Sequence, residues 1–254
     1  MKSPSVNDKQ LMQYLRVALQ AASKARSIHT QYFKKLRNVR NKLDSSLVSE
    51  ADQTSEAVIR DLLRKKFPKI SILGEEEGFE DSDLNKDRWL IDPLDGTTNY
   101  IHGYPFFCSS IALEIDGEVK VGVVDSVVLK RTYWAVKGKG AFIKTGRSLK
   151  QKMQVSQTQK LHDSLVATGF LTYGGDQDER KNLDFQIAIF KKFVEAARGV
   201  RRSGSAALEL CMVAEGALDG FWEYGLKAWD TGAGSLIVSE AGGRVTDMQN
   251  QIFH

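Results

Sequence analysis

Two aspartates close an apolar run in Trp89-Leu90-Ile91-Asp92-Pro93-Leu94-Asp95-Gly96-Thr97-Thr98-Asn99. Carboxylates this close repel one another unless a positive charge lies between them. Two more acidic sites flank apolar segments: Gly74-Glu75-Glu76-Glu77-Gly78 follows Ile70–Leu73, and Asp230 opens an apolar, helix-patterned stretch. Carboxylates at the ends of rigid elements can face one cleft, and a hard divalent cation such as Mg²⁺ takes several carboxylate oxygens. Four carboxylates sharing two ions would remove the repulsion. Gly96-Thr97-Thr98 supplies a complement. A helix beginning near Thr97 would offer backbone N–H groups and a positive dipole end to an anion, and Gly96 would let a phosphate approach the backbone. Cations beside an anion site make a hydrolytic centre.

Each piece also has a plainer reading. Asp230 alone is an N-cap, worth about 1 kcal/mol. Glu75–Glu77 alone is a solvated acidic turn, and Asp92-Pro93 and Asp95-Gly96 alone are turn dipeptides. Spacing does not bring distant segments together, so the elements that carry them matter.

Apolar residues at 11, 15, 18, 22, 25, 32 and 36 follow the three-and-four spacing of an amphipathic helix, with His29 on the same stripe as a core histidine. A second helix is predicted from Gln53 to Lys66, ended by Pro68. Strands follow at Ile70–Leu73, Arg88–Ile91 and Cys108–Ile115. Asp116-Gly117 then turns the chain into Val119–Val128, with Thr132–Val136 and Ala141–Ile143 continuing a meander through Gly138 and Gly140. After Lys150 the elements alternate: strand Leu165–Thr168, helices Leu183–Ala197 and Ala206–Glu215, strand Leu218–Trp222, helix Thr231–Ala241 and strand Arg244–Thr246, with Tyr173–Lys181 a flexible surface loop. The expected class is α/β overall: an α+β part over residues 1–150 with an antiparallel sheet, and an α/β part over 151–254.

The 254 residues allow a large buried core, and 42% hydrophobic with 27% charged residues is ordinary globular composition. A net charge of +4 suits small anions but does not imply nucleic acid, and the basic residues between Lys24 and Lys42 scatter around the helix. Cys108 and Cys211 lie in apolar surroundings and read as core residues of a reducing compartment. Met1–Lys9 is polar, with no apolar segment of a signal peptide, and no run reaches the roughly 18 apolar residues of a membrane span; the chain is read as cytoplasmic, with no membrane partner. There is no P-loop and no Gly-x-Ser-x-Gly elbow. Gly138 and Gly140 lack the further glycine of a dinucleotide-binding turn.

The segments GEE (74–76), WLIDPLDGTTNYIHGYPFF (89–107), GKGAF (138–142), RSGSAALEL (202–210) and WDTGAGSLIVSEAGG (229–243) resemble those of the inositol monophosphatase family, Mg²⁺-dependent and lithium-inhibited phosphatases. The likeness runs from about Lys42 to Asp247. It implies an αβαβα layered sandwich and direct attack of a metal-activated water on a phosphate monoester, with no phosphoenzyme. Carried over, Glu75 and Asp92 would hold one ion with the Leu94 carbonyl, and Asp92, Asp95 and Asp230 a second. Glu75 would also serve a weaker third ion, making two to three Mg²⁺. Gly96 and Thr97 would hold the phosphate, Thr97 and Asp52 would orient the water, and Lys42 would be a mobile-loop lysine near it. Glu223 and the backbone of Ala206, beside Asp95 and Asp230, would contact the substrate, which favours a phosphorylated polyol such as inositol 1-phosphate. Histidinol phosphate, fructose 1,6-bisphosphate or a nucleotide 3′-phosphate remain alternatives. The resemblance also implies a homodimer. Bacterial members associate with transcription and ribosome machinery, so a regulatory binding role is the rival, less favoured reading. The family continues past the Asp247 region with a strand and a helix, and a sheet lacking that strand would have an open edge.

Overall fold

The first helix, α1 (Asp8–Tyr32), is capped by the Asn7 side chain, which accepts from the Gln10 N–H at 3.0 Å. It stops short of Leu36, with Lys34 in the left-handed region at φ 61°. The computed structural model describes residues 6–35, 39–41, 47–79, 87–170 and 177–251. Lys42 and Tyr173–Asp176 therefore lie outside the described residues.

A two-stranded ribbon, β1 (Val39–Asn41) and β2 (Leu47–Ser49), leads into α2 (Glu50–Lys66). That helix begins three residues before the expected Gln53, because Ser49 and Asp52 form a reciprocal cap: the Ser49 hydroxyl faces the Ala51 N–H, and the Asp52 carboxylate accepts from the Ser49 N–H at 2.8 Å. Asp52 thus lies in the first turn of α2, not ahead of it.

Eight strands form the main sheet. They are β3 (Ser71–Gly74), β4 (Gly78–Phe79), β5 (Arg88–Asp95), β6 (Cys108–Ile115), β7 (Glu118–Ser126), β8 (Arg131–Val136), β9 (Ala141–Thr145) and β10 (Gln151–Lys152), with a short helix α3 (Thr97–Ile101) between β5 and β6. Their order is β10-β9-β8-β7-β6-β5-β3-β4, antiparallel except for the parallel β3/β5 pair. β5 runs on through Asp95. Its register against β6 shifts between Asp92 and Asp95, a bulge that absorbs Pro93 and Leu94.

Alternate residues of these strands face opposite cores. Trp89, Ile91, Ile111 and Leu113 pack with Leu15, Ala18, Ala22, Ile59 and Leu63 of α1 and α2. Leu90, Ala112 and Val124 pack with Leu208, Cys211, Ala233 and Ile237 on the other face. Those partners come from α5 (Ala206–Ala214) and α6 (Ala228–Glu240). A second sheet of β11 (Leu165–Thr168), β12 (Gly199–Arg201) and β13 (Gly220–Trp222), order β12-β11-β13 and parallel throughout, lies beyond them, with α4 (Gln177–Ala196) outermost. The layers therefore run αβαβα, as expected. α4 starts six residues before the expected Leu183 and takes in the end of the stretch read as a loop. Arg244–Thr246 is no strand; only Thr246 makes an isolated bridge. Both cysteines are buried and free. Among the described residues no helix is long and apolar enough to cross a membrane.

Candidate active site

The bulge in β5 is held from beneath. His29 is buried in α1, and its Nε2–H donates to the Pro93 carbonyl at 2.9 Å, while the Tyr100 hydroxyl donates to the His29 carbonyl at 2.8 Å. Burial lowers the His29 pKa to about 4, so the ring is neutral, and its Nδ1 has no partner among the described residues. The core reading of His29 holds, and the ring also fixes the carbonyl that lies between the two aspartates.

Each aspartate gives one oxygen to the protein. Asp92 Oδ1 accepts from the Leu94 N–H at 2.9 Å. Asp95 Oδ2 accepts from the Ser205 hydroxyl at 2.6 Å and the Ala207 N–H at 2.8 Å, so it caps α5 from another strand. Asp230 is the third residue of α6, not its N-cap, and its Oδ2 accepts from the Lys227 N–H at 2.6 Å. The Ser110 hydroxyl donates to the Trp229 carbonyl at 3.2 Å, and Ser110 pairs with Asp92 across β5/β6, which ties Asp230 to the aspartate strand. The other oxygens, Asp92 Oδ2, Asp95 Oδ1 and Asp230 Oδ1, have no hydrogen-bond partner among the described residues, and none of the three groups is ion-paired with one.

The electrostatics record the crowding. Burial raises the Asp92 carboxyl well above the usual carboxylate range, and the charges of Glu75, Asp95 and Asp230 raise it further. Burial likewise lifts Asp95 to about 6, against the pull of Ser205 and Ala207, and Asp230 to about 7. Four carboxylates from three segments thus act on one another, although no three acidic, His or Cys side chains of the described residues form a closed metal cage. The donor set is all oxygen, and three of its oxygens have no partner among the described residues. It fits a hard divalent cation.

Beside them, α3 begins at Thr97 as expected, with Gly96 as N-cap at φ +93°. A β-carbon at 96 would be 3.0 Å from the Phe106 carbonyl oxygen and 3.2 Å from that of Gly204. The Thr97 hydroxyl lies 2.8 Å from Asp52 Oδ1 and 3.0 Å from the Leu94 carbonyl. Asp52 is buried and its pKa raised by that burial, against hydrogen bonds from Ser49 and Thr97. The Asn99 amide donates to the Phe106 carbonyl at 2.7 Å and the Ser203 carbonyl at 2.8 Å, joining α3 to the segment before α5.

At the far side lies Glu223, pushed up to about 8 by burial and then by Glu209, Asp95 and Asp230. Ala206 is buried at the start of α5, where its neighbour Ala207 makes the bond to Asp95. Glu75, Asp92, Leu94, Asp95, Gly96, Thr97, Asp52, Ala206, Glu223 and Asp230 therefore share one region. Sequence reasoning missed Ser49, His29's bond to Pro93, Ser205, Glu209 and the pair Glu56–Arg60. The Ser49-x-x-Asp52 spacing of a capping box was the one available signal.

Comparison with known proteins places this geometry. A profile described as the inositol monophosphatase family matches residues 10–253. The chain belongs to the inositol monophosphatase family. Over 92% of its length it is 41% identical to a Nus factor SuhB of Pseudomonas aeruginosa, covering 84% of that protein, and 39% identical to an inositol-1-monophosphatase of Mesorhizobium japonicum, covering 85%. Among solved structures, an inositol monophosphatase of Anabaena superposes with a TM-score of 0.82 at 39% identity, covering 96% of this chain and 87% of the other. Membership makes the protein a phosphatase of a metal-dependent family.

Proposed function

We propose that the protein hydrolyses a phosphate monoester of a polyol, inositol 1-phosphate foremost, with two to three Mg²⁺ ions. The observation that carries this is the set of oxygens on Asp92, Asp95 and Asp230 that have no partner among the described residues, mutually repelling, next to the Gly96–Thr97 helix start. Glu75, Asp92 and the Leu94 carbonyl would hold one ion, Asp92, Asp95 and Asp230 the other, with Glu75 serving a third. Mg²⁺ bound there supplies Lewis-acid activation of water and neutralises charge on the phosphate oxygens. The Thr97 hydroxyl orients the attacking water, and its contacts with Asp52 and the Leu94 carbonyl set its direction. Gly96 and Thr97 bind the phosphate. Glu223, with the backbone at Ala206, faces the hydroxyls of the polyol, as Asp95 and Asp230 do. Lys42 is the candidate loop lysine.

Phosphate release from inositol 1-phosphate should require Mg²⁺, fall with millimolar-scale lithium and stop with chelator. Release from a panel of sugar, histidinol and nucleotide phosphates but not from inositol 1-phosphate would overturn the substrate while keeping the chemistry. An Aquifex aeolicus relative, 39% identical, is named fructose-1,6-bisphosphatase/inositol-1-monophosphatase, so that bisphosphate belongs in the panel. A transcription-associated role is the second reading, favoured by the Nus factor names of relatives. It predicts binding to transcription machinery that survives Asp92→Asn. We also expect a homodimer, which a sedimentation mass of one chain would exclude.

A further inference from the structure

The turn that carries Glu75 is built over a buried ion pair that the carboxylate reading leaves unused. Gly74 and Gly78 pair across β3/β4, so Glu75–Glu77 forms the tight connection between these strands. Its near end is tied to β5 by the Glu75 N–H, which donates to the Ile91 carbonyl at 3.1 Å, one residue before Asp92. Its other side is held by α2. Glu56 Oε2 accepts from the Glu76 N–H at 2.9 Å and Glu56 Oε1 from the Glu77 N–H at 3.0 Å. Arg60, one helical turn on, donates from Nε to Glu56 Oε1 at 2.7 Å and from Nη2 to the Gly78 carbonyl at 2.8 Å. Both side chains are 1% exposed. Gly74 makes room for them: a β-carbon there would be 2.3 Å from Glu56 Oε1 and 2.6 Å from Arg60 Nη2.

A buried ion pair is a weak source of net stability, because desolvation offsets the attraction. What this one does provide is direction. Two successive turn N–H groups and the closing carbonyl are bonded to one charged unit, so the three-residue turn has a single conformation relative to β5. We propose that Glu56 and Arg60 are positioning residues that set Glu75 against Asp92 and thereby fix the affinity of the site for a divalent cation. The proposal rests on the reading that these carboxylates bind metal. Outer partners of metal ligands change affinity by roughly 10–100-fold when removed.

The test is Mn²⁺ titration of the metal-free full chain, read by electron paramagnetic resonance, alongside its thermal unfolding. Glu56→Gln keeps the shape and loses the charge. It should weaken Mn²⁺ at least tenfold, and saturating metal should restore most of kcat. Asp125→Asn is the control. It breaks a different ion pair, Arg26–Asp125 at 2.5 Å between α1 and β7, and should lower Tm with Mn²⁺ affinity unchanged. If Glu56→Gln does not fold, Arg60→Lys decides by the same threshold, since a lysine cannot reach Glu56 and the Gly78 carbonyl together. A folded variant with wild-type Mn²⁺ affinity overturns the proposal, as does an equal loss in Asp125→Asn. Asp92→Asn in the same titration separates the two readings: unchanged affinity there sinks the metal site itself, whereas loss there without loss in Glu56→Gln sinks only the clamp.

Discussion

Gly74 and Gly169 each leave space for a glutamate carboxylate: a β-carbon would come within 2.3 Å of Glu56 at one and 2.0 Å of Glu223 at the other. The two carboxylates are held in opposite ways. Glu56 is bonded to Arg60 and to two backbone N–H groups. Glu223 has no hydrogen bond or ion pair to a described residue, and is surrounded by the charges of Glu209, Asp95 and Asp230, which Arg202 opposes. The first end of the site is over-determined by burial and bonding, as a cation site with fixed geometry needs. The second end holds a carboxylate with its capacity to accept unspent, as a group that reads a variable ligand needs. On the proposed function, chemistry and choice of substrate are separable, and substitutions at either end test that separation.

The largest effect belongs to Asp92→Asn. Oδ1 can still accept from the Leu94 N–H, so the bulge survives while the charge of a proposed ligand is lost. Turnover should fall by more than roughly 100-fold, beyond the range of outer-partner changes. The metal-free protein should become more stable, because a buried, repelled charge has gone. Turnover retained in a folded variant would break the assignment, and a lower Tm would show that the repulsion is not what the native state bears.

Proton competition comes next. Asp95, Asp230 and Glu223 hold their protons up to about 6, 7 and 8, above the usual carboxylate value near 4. A raised native pKa gives stability that is complete below the unfolded value and is lost as pH rises through the folded one. The metal-free chain should therefore lose stability between pH 4 and 8. Mg²⁺, which must displace the protons of Asp95 and Asp230, should stabilise it more at pH 8 than at pH 5.5. At a hundredfold excess over Kd the pH 8 gain is about 2.7 kcal/mol, or roughly 5–10 °C in Tm. Equal gains at both pH values would remove the carboxylates from the binding site.

Substitution of the two glycines sharpens the contrast. Gly74→Ala pushes on a carboxylate that cannot leave its partners, and should cost roughly 1–3 kcal/mol of stability together with metal affinity. Gly169→Ala meets the end of a side chain with no bond to a described residue, which can turn aside, so stability and metal affinity should hold while KM rises. Denaturant unfolding and Mn²⁺ titration of both variants would separate these outcomes. Similar losses in the two would mean that the ends are not held differently.

Much of this was readable in advance because alternation and three-and-four spacing are local. Cys108–Ile115 and Leu165–Thr168 form the expected strands residue for residue. Two of the boundary differences have a common cause, side-chain caps. Ser49 with Asp52 extends α2 backwards, and the Lys227–Asp230 pairing starts α6 at Ala228, three residues before Thr231. The site's acidic residues stood out because carboxylates ending apolar runs are costly without a purpose. Its supports did not, since nothing about Glu56 in a polar helix stretch tells which backbone it meets 20 residues later. Asp95 at the start of α5 is similar, a cap supplied across 110 positions of chain.

The smallest effect tests the Glu223 end alone. Assayed above pH 8, where the Glu223 carboxyl is ionised, Glu223→Gln keeps the volume beside Gly169 and removes a charge that three other acids repel, so the fold should gain slightly in stability. A carboxylate can accept from two substrate hydroxyls through charge-assisted bonds, and an amide accepts through one neutral oxygen. Losing one bond to a charged group costs about 1.5 kcal/mol, so KM for inositol 1-phosphate should rise about tenfold. Metal affinity should not move, and kcat should stay within about twofold, since the contact is made equally in the ground and transition states. A fall in kcat at unchanged KM would place Glu223 with the metal-facing carboxylates and erase the separation. A tenfold KM change for inositol 1-phosphate but none for a phosphate lacking neighbouring hydroxyls would fix Glu223 as the residue that reads them.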